Sequence, residues 1–443
     1  MIEVIFPNKS FSDLRQRILD SKLESCAVLI ANFVSLKDGG RLLVEEVRFV
    51  TEFDYLNRTP ISIQVDPSFI APIVKEAGLT NKHLIFVHTH PDSAKSLHFS
   101  VVDDEGERTI AKFLDSRGLN GPHVSLILNN NLVKARRFSS IEEVRVVQVG
   151  FDYTILYDSK SSTHFESSYD RQIRAFGKFG QEILKKIRVG IIGLGGTGSV
   201  IAQQLAHLGV RDFLLVDPDT VDVTNLNRLI GSTSNDVNSN KVEIASRLIQ
   251  SINPSAYVQQ EVGSIVDIKT TRLLLDTDFL FCCTDSHGSR AILNQLAYQY
   301  FIPCIDMGVS IVVKNDRVKH VTGRAQMLSP GLGCLTCANL LNPDLVRYDL
   351  MTSYERQHDP YFIGAAVPEP AVISLNSTVA SLAITMFLSA ITGIPSSARY
   401  QIYNGVDGTV RSISFMPDPT CIVCSRRGAL GRGNEWILPA RQK

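Results

Sequence analysis

The chain has 443 residues, enough for two or three domains rather than one. Apolar residues make up 44% and charged residues 20%, the balance of an ordinary soluble globular protein. Lys+Arg and Asp+Glu are equal at 45 each, and no basic tract or aromatic-interleaved basic stripe is present, which argues against nucleic acid as the main partner.

The N-terminal stretch "MIEVIFPNKSFSDL" has neither a basic n-region nor an apolar h-region, so no signal peptide is predicted. Residues 1–150 alternate short strand-like runs ("CAVLIANFV", "HLIFVHTH", "HVSLILN") with helical spacing ("SDLRQRILDSKL", "EGERTIAKFLDS") and are predicted to form a first α/β domain. The segment "YDSKSSTHFESSYD" (157–170) is polar and Ser-rich, and a linker is predicted over 151–168. From 169 to 443, "RVGIIGLG", "DFLLVDPD", "TDFLFCCTD" and "FIPCIDMG" are continuous apolar runs. Such runs suit parallel strands buried on both faces. "VASLAITMFLSAITGI" is short for a membrane span and carries Ser, Thr and Gly. It is predicted to be a buried core helix, with no membrane as partner.

The stretch "HTHPDSAKSLHFSVVD" ends the second of these strand candidates. His88 and His90 stand at i and i+2 on a strand end, so both imidazoles point to one side and can reach one ion. Asp103, a short turn later, supplies a third ligand, which leaves a tetrahedral zinc one open position for water. A carboxylate base must then take the water's proton and a donor must hold the oxyanion, a role open to Ser100. The plainer alternative is a strand end with solvated imidazoles. His83 and His98 are read as surface or supporting residues.

"HTHP…SVVD" resembles the His-x-His-Pro…Ser-x-x-Asp signature of the JAB/JAMM (MPN) metalloproteases. That resemblance implies a base from an upstream Glu, and "LESCAVLIAN" offers Glu24, with Ala27 where the family usually has Gly. The loop between His90 and Ser100 is longer than the family's usual spacing. The resemblance further implies a cytidine-deaminase-like sheet with flanking helices and a catalytic zinc on His88, His90 and Asp103.

"VGIIGLGGTGS" is an apolar strand running into Gly193, Gly195, Gly196 and Gly198 and then a helix, which lets backbone and helix N-terminus approach phosphates. Asp217 ends the next strand candidate, where it can accept from a ribose. A nicotinamide dehydrogenase would share this much. The residues downstream differ: Asn225, Arg228 and Lys241 follow, then Asp285 at a further strand end with Arg290 beyond it. An Arg and a Lys beside a glycine loop suit a triphosphate, and Asp285 can hold Mg²⁺ against it. Residues 165–443 thus resemble the ThiF/MoeB and ubiquitin-activating enzyme superfamily, with "RQIRAFGKFGQEIL" similar to its opening helix. The resemblance implies a Rossmann-like adenylation domain with a mainly parallel sheet. It implies that Asp217 binds ribose, Asn225, Arg228 and Lys241 bind ATP phosphates, and Asp285 binds Mg²⁺. It also implies that Arg171 reaches the ATP site of a second copy, hence a homodimer.

"GCLTCAN" and "TCIVCSR" place Cys334 with Cys337 and Cys421 with Cys424, a spacing that suits a closed, structural tetrathiolate zinc rather than two redox motifs. With eight cysteines in a chain this long, the expected compartment is reducing, hence cytoplasmic. Between Cys337 and Cys421 there is no cysteine to carry a thioester, and Cys26, Cys282, Cys283 and Cys304 lie in apolar strand contexts.

Three functions are weighed. One is a bifunctional enzyme that adenylates the C-terminal Gly of a ubiquitin-like protein and cuts the same tail with its zinc site. Such fusions resemble bacterial ubiquitin-like conjugation systems, some linked to phage defence, with a conjugating enzyme among the partners. The second is activation and processing of a sulfur-carrier protein in thiamine, molybdopterin or cysteine metabolism. The third is a non-enzymatic adaptor, which has no use for Glu24 or Asp285.

Overall fold

The computed structural model describes residues 2–91, 96–159, 166–358 and 370–442. The chain divides into two compact units: Met1–Ser162 with Gly431–Trp436, and Thr163–Leu430 with Ile437–Lys443.

In unit 1, β1 (Ile2–Pro7) leads into α1 (Asn8–Ile18), then β2 (Cys26–Leu36) and β3 (Gly39–Phe49). A small hairpin of β4 (Tyr55–Arg58) and β5 (Ile63–Val65) precedes α2 (Pro67–Leu79) and β6 (His83–Thr89). Next come α3 (Val101–Ser116), β7 (Val124–Leu128), β8 (Val133–Arg137), β9 (Arg145–Val149) and β10 (Tyr153–Tyr157). The main sheet runs β10-β9-β1-β3-β2-β6-β7-β8, with β2 antiparallel to β6 and β6 parallel to β7.

β2 reads as a nearly unbroken apolar run because the sheet is covered on both faces. Ala27, Leu29 and Ala31 point into a core closed by Phe11, Leu14 and Ile18 of α1, while Val28 and Ile30 point into a core shared with α2 and α3. Each such large side chain contributes roughly 1.5–3 kcal/mol by leaving water.

Two sequence expectations need correction here. The helix expected through Leu23 stops at Ile18, because Ser21 Oγ accepts from Leu23 N at 3.0 Å and offers the backbone a competing turn. The linker expected over 151–168 contains a strand, since the aromatic and β-branched "YTILY" pairs antiparallel with β9 and buries Tyr153. Residues 160–165 of that segment lie outside the described residues. The boundaries expected for the second domain also shift: Gly431–Trp436 belong to unit 1, where Asn32 Nδ2 donates to Gly431 O at 2.7 Å and Lys82 Nζ meets Glu435 at 2.8 Å.

Unit 2 opens with α4 (Asp170–Lys186), β11 (Arg188–Ile192) and α5 (Gly196–Leu208). β12 (Asp212–Val216), α6 (Lys241–Ile252), β13 (Tyr257–Glu261) and α7 (Ile268–Leu273) follow. Then come β14 (Phe279–Cys282), α8 (His287–Gln299), β15 (Cys304–Lys314) and β16 (Arg317–Leu328). α9 (Pro343–Leu350), α10 (Ser353–His358), α11 (Ile373–Thr392), β17 (Tyr400–Asn404) and β18 (Thr409–Ser412) complete it.

The sheet order is β13-β12-β11-β14-β15-β16-β17-β18. The pairs from β13 to β15 are parallel, and those from β15 to β18 are antiparallel. The expectation of a mainly parallel sheet therefore holds for one half only. The other half escaped because its outward-facing strands are polar and exposed, and lack the apolar runs that betray doubly covered strands. The helix expected in the core is α11. It is long and apolar enough to cross a membrane by length and composition, yet it packs on α5, β15 and β16. Its Phe387 ring stands 4.9 and 5.3 Å from those of Phe279 and Phe281.

Candidate functional site

The histidines of unit 1 do converge. Cys26 of β2 is in register with His88 of β6, which brings Glu24, just before β2, to the same end of the sheet. Ser100 caps α3, accepting from Asp103 N at 3.1 Å, and its own N–H donates to Asp103 Oδ2 at 2.6 Å. This reciprocal cap turns Asp103 toward the strand end. His88 Nε2 lies 3.0 Å from Asp103 Oδ1 and 3.1 Å from His90 Nε2, and His90 Nε2 lies 3.5 Å from Asp103 Oδ2. Ligands of a tetrahedral zinc, each about 2.0–2.1 Å from the ion, stand roughly 3.3 Å apart. The donor set and its spacing fit zinc.

Glu24 Oε1 lies 3.8 Å from His90 Nε2, beside the ligands. Burial raises its carboxyl, against the pull of His88 and His90. Burial pushes Asp103 the same way, but hydrogen bonds from His88 and His90 outweigh it and hold that carboxyl well below the usual range. His98 is exposed, and His83 faces Pro122 O at 3.1 Å. What holds Glu24 has no signature in the sequence. Arg58 Nε donates to its carbonyl at 2.7 Å, and its N–H donates to Thr59 O at 2.9 Å. Both partners come from the hairpin.

In unit 2 the loop after β11 needs its glycines for identifiable reasons. Gly193 has φ +87°, and an added Cβ there would stand 2.9 Å from Cys283 O. At Gly198 it would stand 1.9 Å from Gly193 O. At Gly196 it would meet Asn376 Nδ2 at 2.2 Å and the Arg228 side chain at 3.2 Å. At Gly195 it would meet nothing within 4 Å, leaving open space at the start of α5 where a phosphate can approach.

Around this loop the expected residues assemble in part. Asp217 is buried, with Oδ2 accepting from Leu194 N at 2.5 Å and Oδ1 from Asp219 N at 2.8 Å. Burial raises its carboxyl against the pull of Lys241. Asp217 thus holds the loop's shape. Lys241 Nζ pairs with Asp219 Oδ2 at 2.7 Å, and Arg228 Nη1 donates to Thr224 O at 2.7 Å. Asn225 closes the turn before Arg228 by accepting from Asp222 N at 3.2 Å. Asp285 is exposed between β14 and α8, and Arg171 is exposed in the first turn of α4.

One charged cluster was not foreseen. Asp306, wholly buried at the start of β15, lies 3.4 Å from Arg290 Nε and receives a hydrogen bond from Arg324. "CIDMG" reads as a plain buried strand, so only the fold reveals the cluster.

The four cysteines also meet: Cys334 Sγ lies 3.6 Å from Cys421 Sγ, and Cys337 Sγ lies 3.5 Å from Cys424 Sγ. These separations are far beyond a disulfide and near the roughly 3.8 Å between thiolates on one zinc. Backbone N–H groups of Cys337, Val423 and Asp418 point at sulfurs, each at 3.4 Å, the support a thiolate needs. The thiols of Cys282 and Cys304 are buried and that of Cys283 is half-buried, and desolvation pushes all three up, away from the reactive thiolate. Cys283 lies one residue past β14 rather than within the strand as expected.

A glycine loop between a parallel strand and a helix, with Asp217 bonded to it and Arg228 against Gly196, has the frame of a nucleotide-binding unit, and the family and relatives it matches make it an adenylyltransferase. The chain belongs to the ThiF family, whose model matches residues 169–423. The molybdopterin-synthase adenylyltransferase of Escherichia coli (strain K12) is 30% identical over 260 residues, covering 58% of this chain and 96% of that protein. The SAMP-activating enzyme E1 of Haloferax volcanii is 24% identical over 254 residues, covering 57% of this chain and 85% of its own. Among solved structures, E. coli MccB with MccA-N7isoASN is similar at 19% identity and a TM-score of 0.48. It covers 59% of this chain and 76% of its own. Residues 1–168 lie outside the family segment.

Proposed function

We propose that the chain is a bifunctional enzyme of a ubiquitin-like or sulfur-carrier protein system. Unit 2 adenylates the carrier's C-terminal Gly, and unit 1 is a zinc peptidase of the JAB/JAMM kind that cuts at the same tail. For unit 2 the carrying observation is the open space at Gly195 beside Arg228 and Lys241, a phosphate cradle inside a ThiF-family fold. The names of the similar proteins support a small protein as substrate: one activates SAMP, another serves molybdopterin synthase.

In the adenylation step, a carboxylate oxygen of the terminal Gly attacks the α-phosphorus of ATP. The new bond joins that oxygen to phosphorus, and the bond to the β-phosphate oxygen breaks to release pyrophosphate. Arg228 and Lys241 neutralise the phosphates, with Lys241 exchanging Asp219 for the nucleotide. Asp217 orients the ribose and keeps the Leu194 amide in place. Mg²⁺ held by Asp285 supplies charge neutralisation of the leaving pyrophosphate. Arg171 completes the site of a second copy, so the working form is a homodimer.

For unit 1 the carrying observation is the convergence of His88, His90 and Asp103 at zinc-ligand spacing, with Glu24 beside them. Zinc held by His88, His90 and Asp103 would supply a Lewis acid at this end of the sheet. Glu24 serves as the base: it accepts a proton from the attacking water as the water oxygen bonds to the scissile carbonyl carbon, and returns it to the amine as the C–N bond breaks. Ser100 Oγ, engaged only as an acceptor by Asp103 N, keeps its own hydrogen for the oxyanion. The absence of a cysteine between Cys337 and Cys421 favours release or direct transfer of the adenylate over a thioester, which suits the sulfur-carrier version of this function. Residues 359–369 of that stretch lie outside the described residues.

Pyrophosphate exchange with candidate carriers tests unit 2. Exchange must depend on a carrier with a free terminal Gly, and exchange indifferent to that terminus would exclude the proposed substrate.

A further inference from the structure

We infer that unit 1 carries a specificity pocket beside its metal ligands, shaped for a short apolar segment of the substrate polypeptide on the leaving side of the cut. The inference rests on the peptidase reading of that unit. A cavity of about 590 Å³ lies there, within the roughly 300–1,000 Å³ range of ligand pockets. Glu24, His88 and Asp103 share its lining with Phe69, Phe86 and Ile110, so whatever fills it sits against the reacting centre.

Three observations select an apolar occupant. First, Gly106 lines the cavity on α3, one turn beyond Asp103. A helix-interior glycine weakens its helix relative to alanine. A Cβ here would nevertheless meet nothing within 4 Å, so no packing inside the chain asks for a glycine. Gly106 is exposed, so the room it leaves lies at the cavity's solvent-facing rim. Second, Ile61 and Val102 also line it and are 77% and 56% exposed, large apolar side chains left in water beside a metal ligand. Third, among the described residues the only charged lining group besides Glu24, His88 and Asp103 is Glu107, whose two oxygens already accept from Arg136 and from Ser139 N. Among the described residues, none is left to bind a charged ligand. A tail ending in glycine has no side chain to bury, so the apolar segment belongs after the scissile bond.

The test uses carrier fusions whose first two residues after the scissile glycine are either leucine and phenylalanine, or serine and asparagine. The full-length protein is expected to cut the apolar fusion with kcat/KM at least about tenfold higher, as burial of a large apolar side chain provides. Gly106→Leu adds an apolar side chain at the rim of the pocket, where its Cβ meets nothing within 4 Å, so it should keep its zinc content, melt no lower than wild type, and bring that ratio to about one. In parallel, calorimetry follows the product peptide that begins with leucine and phenylalanine. It should bind the wild-type chain and not Gly106→Leu. Equal cleavage of both fusions by wild type, or peptide binding unchanged by Gly106→Leu, overturns the inference. No cleavage of either fusion by the zinc-loaded wild-type chain would instead remove the peptidase reading, and the product-peptide calorimetry would still decide the pocket.

Discussion

Glu24 owes its position to backbone contacts on both sides, because Arg58 holds its carbonyl and Thr59 accepts its N–H. Glu24→Gln removes the proton acceptor and leaves the ligands intact. Hydrolysis should fall by about 10²–10⁴-fold while the metal content stays at the wild-type level. His88→Ala should lose metal and activity together, read by metal analysis on the purified variant. Arg58→Ala should lower kcat with the metal retained, since it frees the Glu24 backbone without touching a ligand. In the other unit, Gly198→Ala puts a Cβ 1.9 Å from Gly193 O, and the loop must open to accept it. That change should abolish ATP binding and cost about 1–3 kcal/mol in thermal unfolding.

At this scale the metal set was legible because His88, His90, Ser100 and Asp103 fall within one strand–loop–helix passage, and Glu24 precedes a recognisable strand. Arg58 was not, because it belongs to a hairpin with no chemical signature. Asp306 was hidden for a related reason. Its arginine partners come from α8 and β16, and only the sheet register brings them together.

Among the elements, period and apolar content located the strands that are covered on both faces and the α11 helix. The same signal passed over β10 and the antiparallel strands from β16 to β18, which are half-exposed or exposed. The cysteine loops form the other element with a sharp prediction. The four sulfurs pair across two loops 87 residues apart, so one ion held by them would tie the segment after β16 to the segment after β18. Changing any one of the four to serine should release one zinc per chain and lower the melting temperature of unit 2. A chelator should strip the His88–His90–Asp103 ion before this closed site. Metal content unaffected by every one of the four changes would contradict a shared tetrathiolate.

At the scale of the whole molecule, the groups proposed for each activity lie within one unit of the chain, and the family segment covers only one of the two units. Arg171 is expected to act across a dimer. Arg171→Ala and Asp285→Ala chains, each inactive in exchange, should then recover activity when mixed, because one site of the heterodimer is intact. The central claim is that one chain carries two separable activities on one carrier tail. The most direct measurement follows both activities in the same preparations of Asp285→Ala and Glu24→Gln. Asp285→Ala is predicted to lose carrier-dependent pyrophosphate exchange and keep wild-type tail cleavage, and Glu24→Gln is predicted to do the reverse. Loss of both activities in either variant, with the protein folded and its zinc in place, would contradict the account.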